Sequence, residues 1–151
     1  FKDLSIDLRA GLHNYFVKTN DNVPDLSIIL LTKNNGRTIV NCISSILKQT
    51  YKNFELIILD NNSSDGTEEV INILTCDSRI KSFNCKKQRL KFNIEEAIKH
   101  INTNRILVIK PSDIFGKEDL EFLIQNNKIK EFPFINHYPR WMFKIKNLFK
   151  I

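Results

Sequence analysis

The residues of this chain best placed to do chemistry sit in three short polar stretches, each directly following an apolar run. They are Thr32-Lys33-Asn34-Asn35 after LSIILL, Asp60-Asn61-Asn62-Ser63-Ser64-Asp65-Gly66-Thr67 after FELIIL, and Lys110-Pro111-Ser112-Asp113 after RILVI. A carboxylate followed by two amides, as at Asp60, Asn61 and Asn62, can read the edge of a nucleobase and a ribose diol. Thr32 and Asn34 offer donors and acceptors, and Lys33 and Arg37 offer positive charge. Arg37 stands near the start of a helix, where orphan N–H groups also favour anions. The same residues permit a plainer reading. Asp60 to Gly66 can be a turn with Asp65 or Ser64 capping the next helix, and Thr32 to Asn35 a solvated loop.

These stretches need elements to hold them. The runs 26–31 and 54–59 are nearly all apolar, as expected of strands covered on both faces of a parallel sheet. Between them Ile39, Cys42, Ile43, Ile46 and Leu47 recur at helical spacing, which predicts an amphipathic helix over 37–49. Further along, the pattern predicts a helix over 67–74, a strand over 79–83 and a helix over 92–101. A strand over 105–109, a helix over 117–125 and an edge strand over 132–136 follow. An N-terminal helix over 1–18 and a linker over 19–24 precede the first strand. The division is 1–24 as helix and linker, 25–136 as one nucleotide-binding domain and 137–151 as a basic tail. The alternation is that of an α/β fold with a largely parallel sheet. Right-handed crossovers would put all three polar loops on one edge, where open α/β sheets bind ligands.

The order TKN, then QTY, then DNNSSDGT closely resembles the opening of family 2 glycosyltransferases. Here it is Thr32-Lys33-Asn34, Gln49-Thr50-Tyr51 and Asp60 to Thr67, with the family's spacing and no gap. The likeness covers 25–124 and is specific between 26 and 67. It implies a GT-A-like, Rossmann-like three-layer sandwich. It implies a sugar moved from a nucleotide-diphospho-sugar, with inversion, to a glycan, lipid or peptide acceptor. Thr32, Lys33, Asn34, Arg37, Asp60 and Asn61 become nucleotide-binding candidates. Many relatives carry Asp at the place of Asn61, and an amide there softens or reverses base preference.

The family holds Mn²⁺ or Mg²⁺ with a D-x-D after the fourth strand, because hard cations need oxygen ligands. In this chain Lys110, Pro111 and Ser112 take those places and Asp113 matches a trailing carboxylate. The expectation is weak metal binding through Asp113, or none. Lys110 is then either a point charge on the diphosphate, with Ser112 beside it, or a plain surface lysine. Fewer than 40 residues follow Asp113, where the family builds its acceptor site and general base. Glu118-Asp119 spells the family's catalytic pair but falls too early, so it reads as helix N-terminal charge. The alternative to an active transferase is a truncated or inactive module that binds nucleotide or a partner protein.

Composition sets the outer limits. The chain has 151 residues, 42% hydrophobic and 26% charged, which suits one globular domain. No apolar run reaches the length of a membrane span. Phe1 is not an initiator Met, which suggests a fragment or a processed start, and the N-terminus, with acidic residues inside its apolar pattern and no small-residue cleavage site, does not read as a signal peptide. The three cysteines, Cys42, Cys76 and Cys85, form no CxxC and point to a reducing, cytoplasmic setting. A net charge of +6 favours an anionic partner. No aromatic-basic platform argues for nucleic acid. The tail from Tyr138 to Ile151 has no acidic residue; Trp141, Ile145, Leu148 and Phe149 share one helical face. It can lie on an anionic membrane surface, at its inner face, or dock on the domain core. His13, His100 and His137 are read as structural.

Overall fold

The computed structural model describes residues 23–85, 97–101, 103 and 105–131. The expected N-terminal helix, the first half of the helix over 92–101, the edge strand over 132–136 and the basic tail lie outside these residues, as do His13 and His137. Within them the order is β1 (Leu26–Thr32), α1 (Gly36–Leu47), β2 (Phe54–Asp60), α2 (Thr67–Leu74), β3 (Ile80–Asn84), β4 (Arg105–Ile109), α3 (Asp119–Gln125) and β5 (Lys130–Glu131).

The strands form one sheet in the order β3-β2-β1-β4-β5. The first four are parallel and β5 runs antiparallel to β4. Successive strands β1, β2 and β3 build outward on one side of β1, and β4 returns to its other side. The winding therefore reverses between β1 and β4, which is the switch point where an open α/β sheet forms its ligand crevice. The parallel pairing puts the carboxyl ends of β1, β2 and β4 on the same edge.

Side-chain alternation divides the core into two layers. Leu26, Ile28 and Leu30 of β1 and Phe54, Leu56 and Ile58 of β2 face one side. There they pack on Ile39, Ile43 and Ile46 of α1, Val70, Ile71 and Leu74 of α2 and Leu120 of α3. Ile29, Ile57, Leu59 and Ile106 face the other side and pack on Ala97, Ile98 and Ile101. The result is the expected three-layer α/β arrangement. Cys42 is a buried core residue, as read from the helix pattern.

Two polar groups break the apolar strands. Ser27 and Glu55 are buried side by side, and the Ser27 hydroxyl donates to Glu55 Oε1 at 2.6 Å. Lys81 Nζ donates to Glu55 Oε2 at 2.9 Å, so the buried carboxylate is paired as burial requires. At the amino-terminal edge Asp25 Oδ2 accepts from Tyr51 Oη and from Arg105 Nη1, each at 2.8 Å. Burial and that hydrogen bond push the Tyr51 hydroxyl pKa up. His100 stacks on Phe83 with ring centroids 4.0 Å apart.

Element ends differ from the sequence pattern where a contact outside the element takes up a backbone group. The last helix starts at Asp119 rather than Lys117, because the Lys117 carbonyl accepts the Thr50 N–H at 2.9 Å. β3 starts at Ile80 because the Arg79 N–H is bonded to Asp77 Oδ1 at 2.9 Å. Strands β1 and β2 each extend one residue further than expected, to Thr32 and Asp60, while β4 ends at Ile109 as expected.

Leu56 is fully buried at the centre of the larger layer. Leu56→Ala is expected to cost about 2–5 kcal/mol in denaturant unfolding, with the slope unchanged.

Candidate functional site

The β1–β2 register ends with Thr32 opposite Asp60, so the two loops leave the sheet at the same level. A parallel-bridge hydrogen bond from Asn61 N–H to the Thr32 carbonyl, 2.9 Å, carries the pairing one residue further. Beyond that point the loops hold each other through side chains. Asn34 N–H donates to Ser63 Oγ at 2.8 Å, and Ser64 N–H donates to Asn34 Oδ1 at 2.8 Å. Asn34 has φ 53° and Asn62 φ 55°, the left-handed region that asparagine tolerates best among residues with a Cβ.

Asp65 closes the arrangement. Its carboxylate accepts the N–H of Gly36 at 3.2 Å and the N–H of Thr67 at 3.1 Å, and also the Thr67 hydroxyl. Gly36 and Thr67 are the first residues of α1 and α2, so one carboxylate serves the amino-terminal ends of both helices. The Thr67 hydroxyl in turn accepts the Asn35 N–H at 3.1 Å. The Thr67 hydroxyl bond, then the two backbone donors, hold the Asp65 carboxyl below the usual carboxylate range. The position expected to cap α2 by itself thus caps two helices, and Gly66, at φ 89°, makes the bend that lets it. The anion at the start of α1 is the protein's own Asp65.

The sequence candidates divide by what their side chains already do. Thr32 and Asp60 are buried. The Thr32 hydroxyl accepts from Asn35 Nδ2 at 3.3 Å. Asp60 accepts the Ser63 N–H at 3.1 Å and the Ser63 hydroxyl. A carboxylate has about four acceptor positions, so Asp60 keeps capacity for further donors. Asn61 is half-buried, and Lys33 and Arg37 are exposed. Among the described residues neither cation is in an ion pair. The turn reading and the binding reading are therefore compatible: Ser63 and Asp65 make the turn, and Lys33, Arg37 and Asn61 face outward from it.

The third loop lies across β1. Leu30 pairs with Ile109, which sets Lys110 level with Leu31 at the switch point. Lys110 to Asp113 is a β-turn with Pro111 at its second position. Asp113 N–H donates to the Lys110 carbonyl at 3.0 Å, and Asp113 Oδ2 accepts the Lys110 N–H at 2.8 Å. Cys42 Sγ donates to the same Lys110 carbonyl at 3.4 Å. Burial, then the Asp113 charge, push the Cys42 thiol up to about 12, so it stays protonated as a donor. Ser112 is exposed. Among the described residues no three His, Cys, Asp or Glu side chains gather to hold a metal ion.

Gln49 is the contributor whose role the pattern did not reveal. It is fully buried at the end of α1. Its Nε2 donates to the carbonyls of Ser45 and Gly116, and its Oε1 accepts the Leu120 N–H at 3.0 Å. Ser45 Oγ accepts the Phe115 N–H at 3.1 Å. These bonds fix the segment that leads out of the Lys110 turn. The available signal was an amide just past the last apolar pair of the helix, Ile46 and Leu47, directly before a turn. Asp119, of the Glu118-Asp119 pair, is used locally: its Oδ2 accepts the Gly116 N–H at 2.6 Å. A groove of about 920 Å³, lined among others by Ser44, Lys48, Thr50 and Ile114, runs along the flank of α1 toward its far end. Its wall includes Ile114 and Phe115, the segment that leaves the Lys110 turn.

Comparison with known proteins gives a consistent picture. Residues 27–129 match the model of the family described as Glycosyl transferase family 2. An uncharacterized glycosyltransferase of Rickettsia conorii is 32% identical over 124 residues, covering 80% of this chain and 20% of the relative. The UDP-Glc:alpha-D-GlcNAc-diphosphoundecaprenol beta-1,3-glucosyltransferase of Escherichia coli is 48% identical over 56 residues, covering 37% of this chain and 22% of its own. The chain thus spans about one fifth of the length of these curated relatives. In fold it is similar to S. aureus TarS 1–349 in complex with UDP, with TM-score 0.61 and 21% identity over 67% of this chain and 31% of that one. It is also similar to the mannosyltransferase PcManGT from Pyrobaculum calidifontis in complex with GDP-Man and Mn²⁺, with TM-score 0.58 and 16% identity over 78% of this chain and 41% of that one.

Two outcomes test the clasp. Gln49→Ala leaves the Leu120 N–H and the Gly116 carbonyl without their partner and should cost about 1–3 kcal/mol or more in chemical unfolding. Asp65→Ala should lower the unfolding midpoint, with Asp65→Asn recovering part of the loss. The Asp65 carboxyl lies below its ordinary value of 3.8 in the folded chain, so its contribution is complete above 3.8 and fades as pH falls through the folded value. The stability difference between wild type and Asp65→Ala should therefore shrink in acid, measured by denaturant midpoints along a pH series.

Proposed function

The chain belongs to glycosyl transferase family 2, with that family's GT-A-like fold, and on that premise we propose that it forms the donor-nucleotide half of an enzyme moving a sugar from a nucleoside diphosphate to a glycan, lipid or peptide acceptor. The observation that carries this reading is the in-register end of β1 and β2, with Thr32 opposite Asp60 and the two following loops tied together beside the switch point. Asp60 and Asn61 present acceptor and amide groups to a base edge. Thr32 and Asn34 shape the wall, and Lys33 and Arg37 supply charge toward the phosphates. Lys110, Ser112 and Asp113 stand at the diphosphate end.

Support for a uridine nucleotide comes from the relatives. The Escherichia coli enzyme is named for UDP-Glc, and TarS has been solved with UDP and with UDP-GlcNAc. The same E. coli name includes a diphosphoundecaprenol acceptor, which supports a lipid-linked glycan as the acceptor. Among the described residues no helix is long and apolar enough to cross a membrane. The tail over 137–151 is proposed as a membrane contact on its sequence, which is basic and carries Trp141 and Phe149 as apolar residues.

In the family's reaction an acceptor hydroxyl displaces the nucleoside diphosphate in line, with inversion, and a general base takes its proton. This chain's part in that step is to bind and orient the donor. Glu118 and Asp119 are not assigned as the base, because they stand at the N-cap and first position of α3 and Asp119 is already bonded to Gly116 N–H. Mn²⁺ or Mg²⁺ is the cation the family implies. The set at its position is one ammonium, one neutral hydroxyl and one carboxylate whose Oδ2 is held by Lys110 N–H. That set does not suit a hard divalent cation. The same departure favours a second reading, a non-catalytic module that binds nucleotide or a partner.

Calorimetric titration of the chain with UDP, GDP, CDP and TDP should find one base preferred, with affinity reduced at least about tenfold in Asp60→Asn. Asn61→Asp should sharpen the preference. Equal, weak binding of all four nucleotides, unaffected by Asp60→Asn, would sink the donor-pocket reading. Release of nucleoside diphosphate from a sugar donor separates transferase from binding module.

A further inference from the structure

Resting on the donor-pocket reading above, we infer that the Lys110 ammonium takes the place of a divalent cation at the donor diphosphate, so that nucleotide binding by this chain is independent of metal. Every backbone polar group of Lys110 is engaged: its N–H with Asp113 Oδ2, its carbonyl with Asp113 N–H and the Cys42 thiol. Pro111 fixes the next φ near −65°. The Lys110 Cα is therefore anchored at the switch point beside β1, and the long side chain alone remains free to reach a ligand.

Charge follows the same line. The described residues give Lys110 no ion pair, so its ammonium is not spent on Asp113. Asp113 turns one carboxylate oxygen inward to its own turn, which removes half of the only acidic ligand set in the loop. A dication here would meet an ammonium at the first position and a neutral hydroxyl at the third. Like charge repels it, and the oxygen ligands it needs are too few. An anionic diphosphate meets the reverse: Lys110 across the switch point, with exposed Lys33 and Arg37 on the facing loop and start of α1. A lysine binds phosphate as a compact point charge with three donors and needs no bidentate geometry.

The test uses the whole chain with UDP and GDP as probes, titrated calorimetrically in EDTA and again in excess Mn²⁺. Uridine and guanosine serve as controls that lack the diphosphate. The expected result is equal affinity in EDTA and Mn²⁺, and weakening at higher ionic strength. Lys110→Ala should lower diphosphate affinity about tenfold or more while nucleoside affinity stays unchanged. Lys110→Asp should bind poorly in EDTA and recover with Mn²⁺, since it restores a second carboxylate. Thermal unfolding of each variant separates loss of charge from loss of fold. Binding of UDP or GDP only with Mn²⁺, or full affinity in a folded Lys110→Ala, would overturn the inference and leave the donor pocket standing. Absence of any nucleotide or nucleoside binding would overturn both.

Discussion

Seven consecutive residue pairs lock β1 to β2 in parallel, and the last of them sets Thr32 against Asp60. Parallel register in a doubly covered sheet is strongly determined, because a slip of one residue would exchange the two faces of the strand. Here the slip would move Ile28 and Leu30 out of the larger layer and Ser27 out of reach of Glu55. The level at which the two loops leave the sheet is thus fixed by hydrophobic packing many residues away from either loop. Everything at the candidate site is built on that level edge, and Asp65 can reach the start of both helices only because the edge is level.

Helix α1 passes this constraint on. Its amino end is held by Asp65 and by Thr67 through Asn35, and its carboxyl end is held by Gln49 against Gly116 and Leu120. Midway, Cys42 touches the carbonyl of Lys110. One rod therefore contacts all three loops, and its apolar stripe of Ile39, Ile43 and Ile46 fixes it on the sheet. The polar contacts orient the loops, while the buried stripe provides most of the stabilisation. Burial of a full aliphatic side chain contributes about 1.5–3 kcal/mol, more than a net hydrogen bond.

The candidate site shares its polar atoms between holding itself and meeting a ligand. Ser63, Asp65 and one oxygen of Asp113 are given to loop geometry. Lys33, Arg37 and Lys110 are given to neither fold nor ion pair among the described residues, and all are cations. The proposed recognition of an anion at this edge rests on that partition and agrees with the basic character of the whole chain at +6.

Strands β1 to β4, helices α1 to α3 and the positions of the three loops were legible in the sequence because each rests on a local pattern: apolar runs, a helical stripe and turn residues. The family was legible because several short motifs kept their spacing. What the residues alone left undecided was the use of each polar side chain. Asp65 reads as a cap in sequence, and only the fold brings Gly36 within 3.2 Å of it across a separation of 29 residues. Gln49 reads as a helix end, yet its bond to Leu120 spans 71 residues. Asp113 reads as a surviving metal ligand, and the turn shows one oxygen facing its own backbone. Such contacts are set by the register of distant strands and by the closure of long crossovers, which no local window of sequence contains. Sequence determined which groups stand at the edge; tertiary structure decided which of them are already occupied.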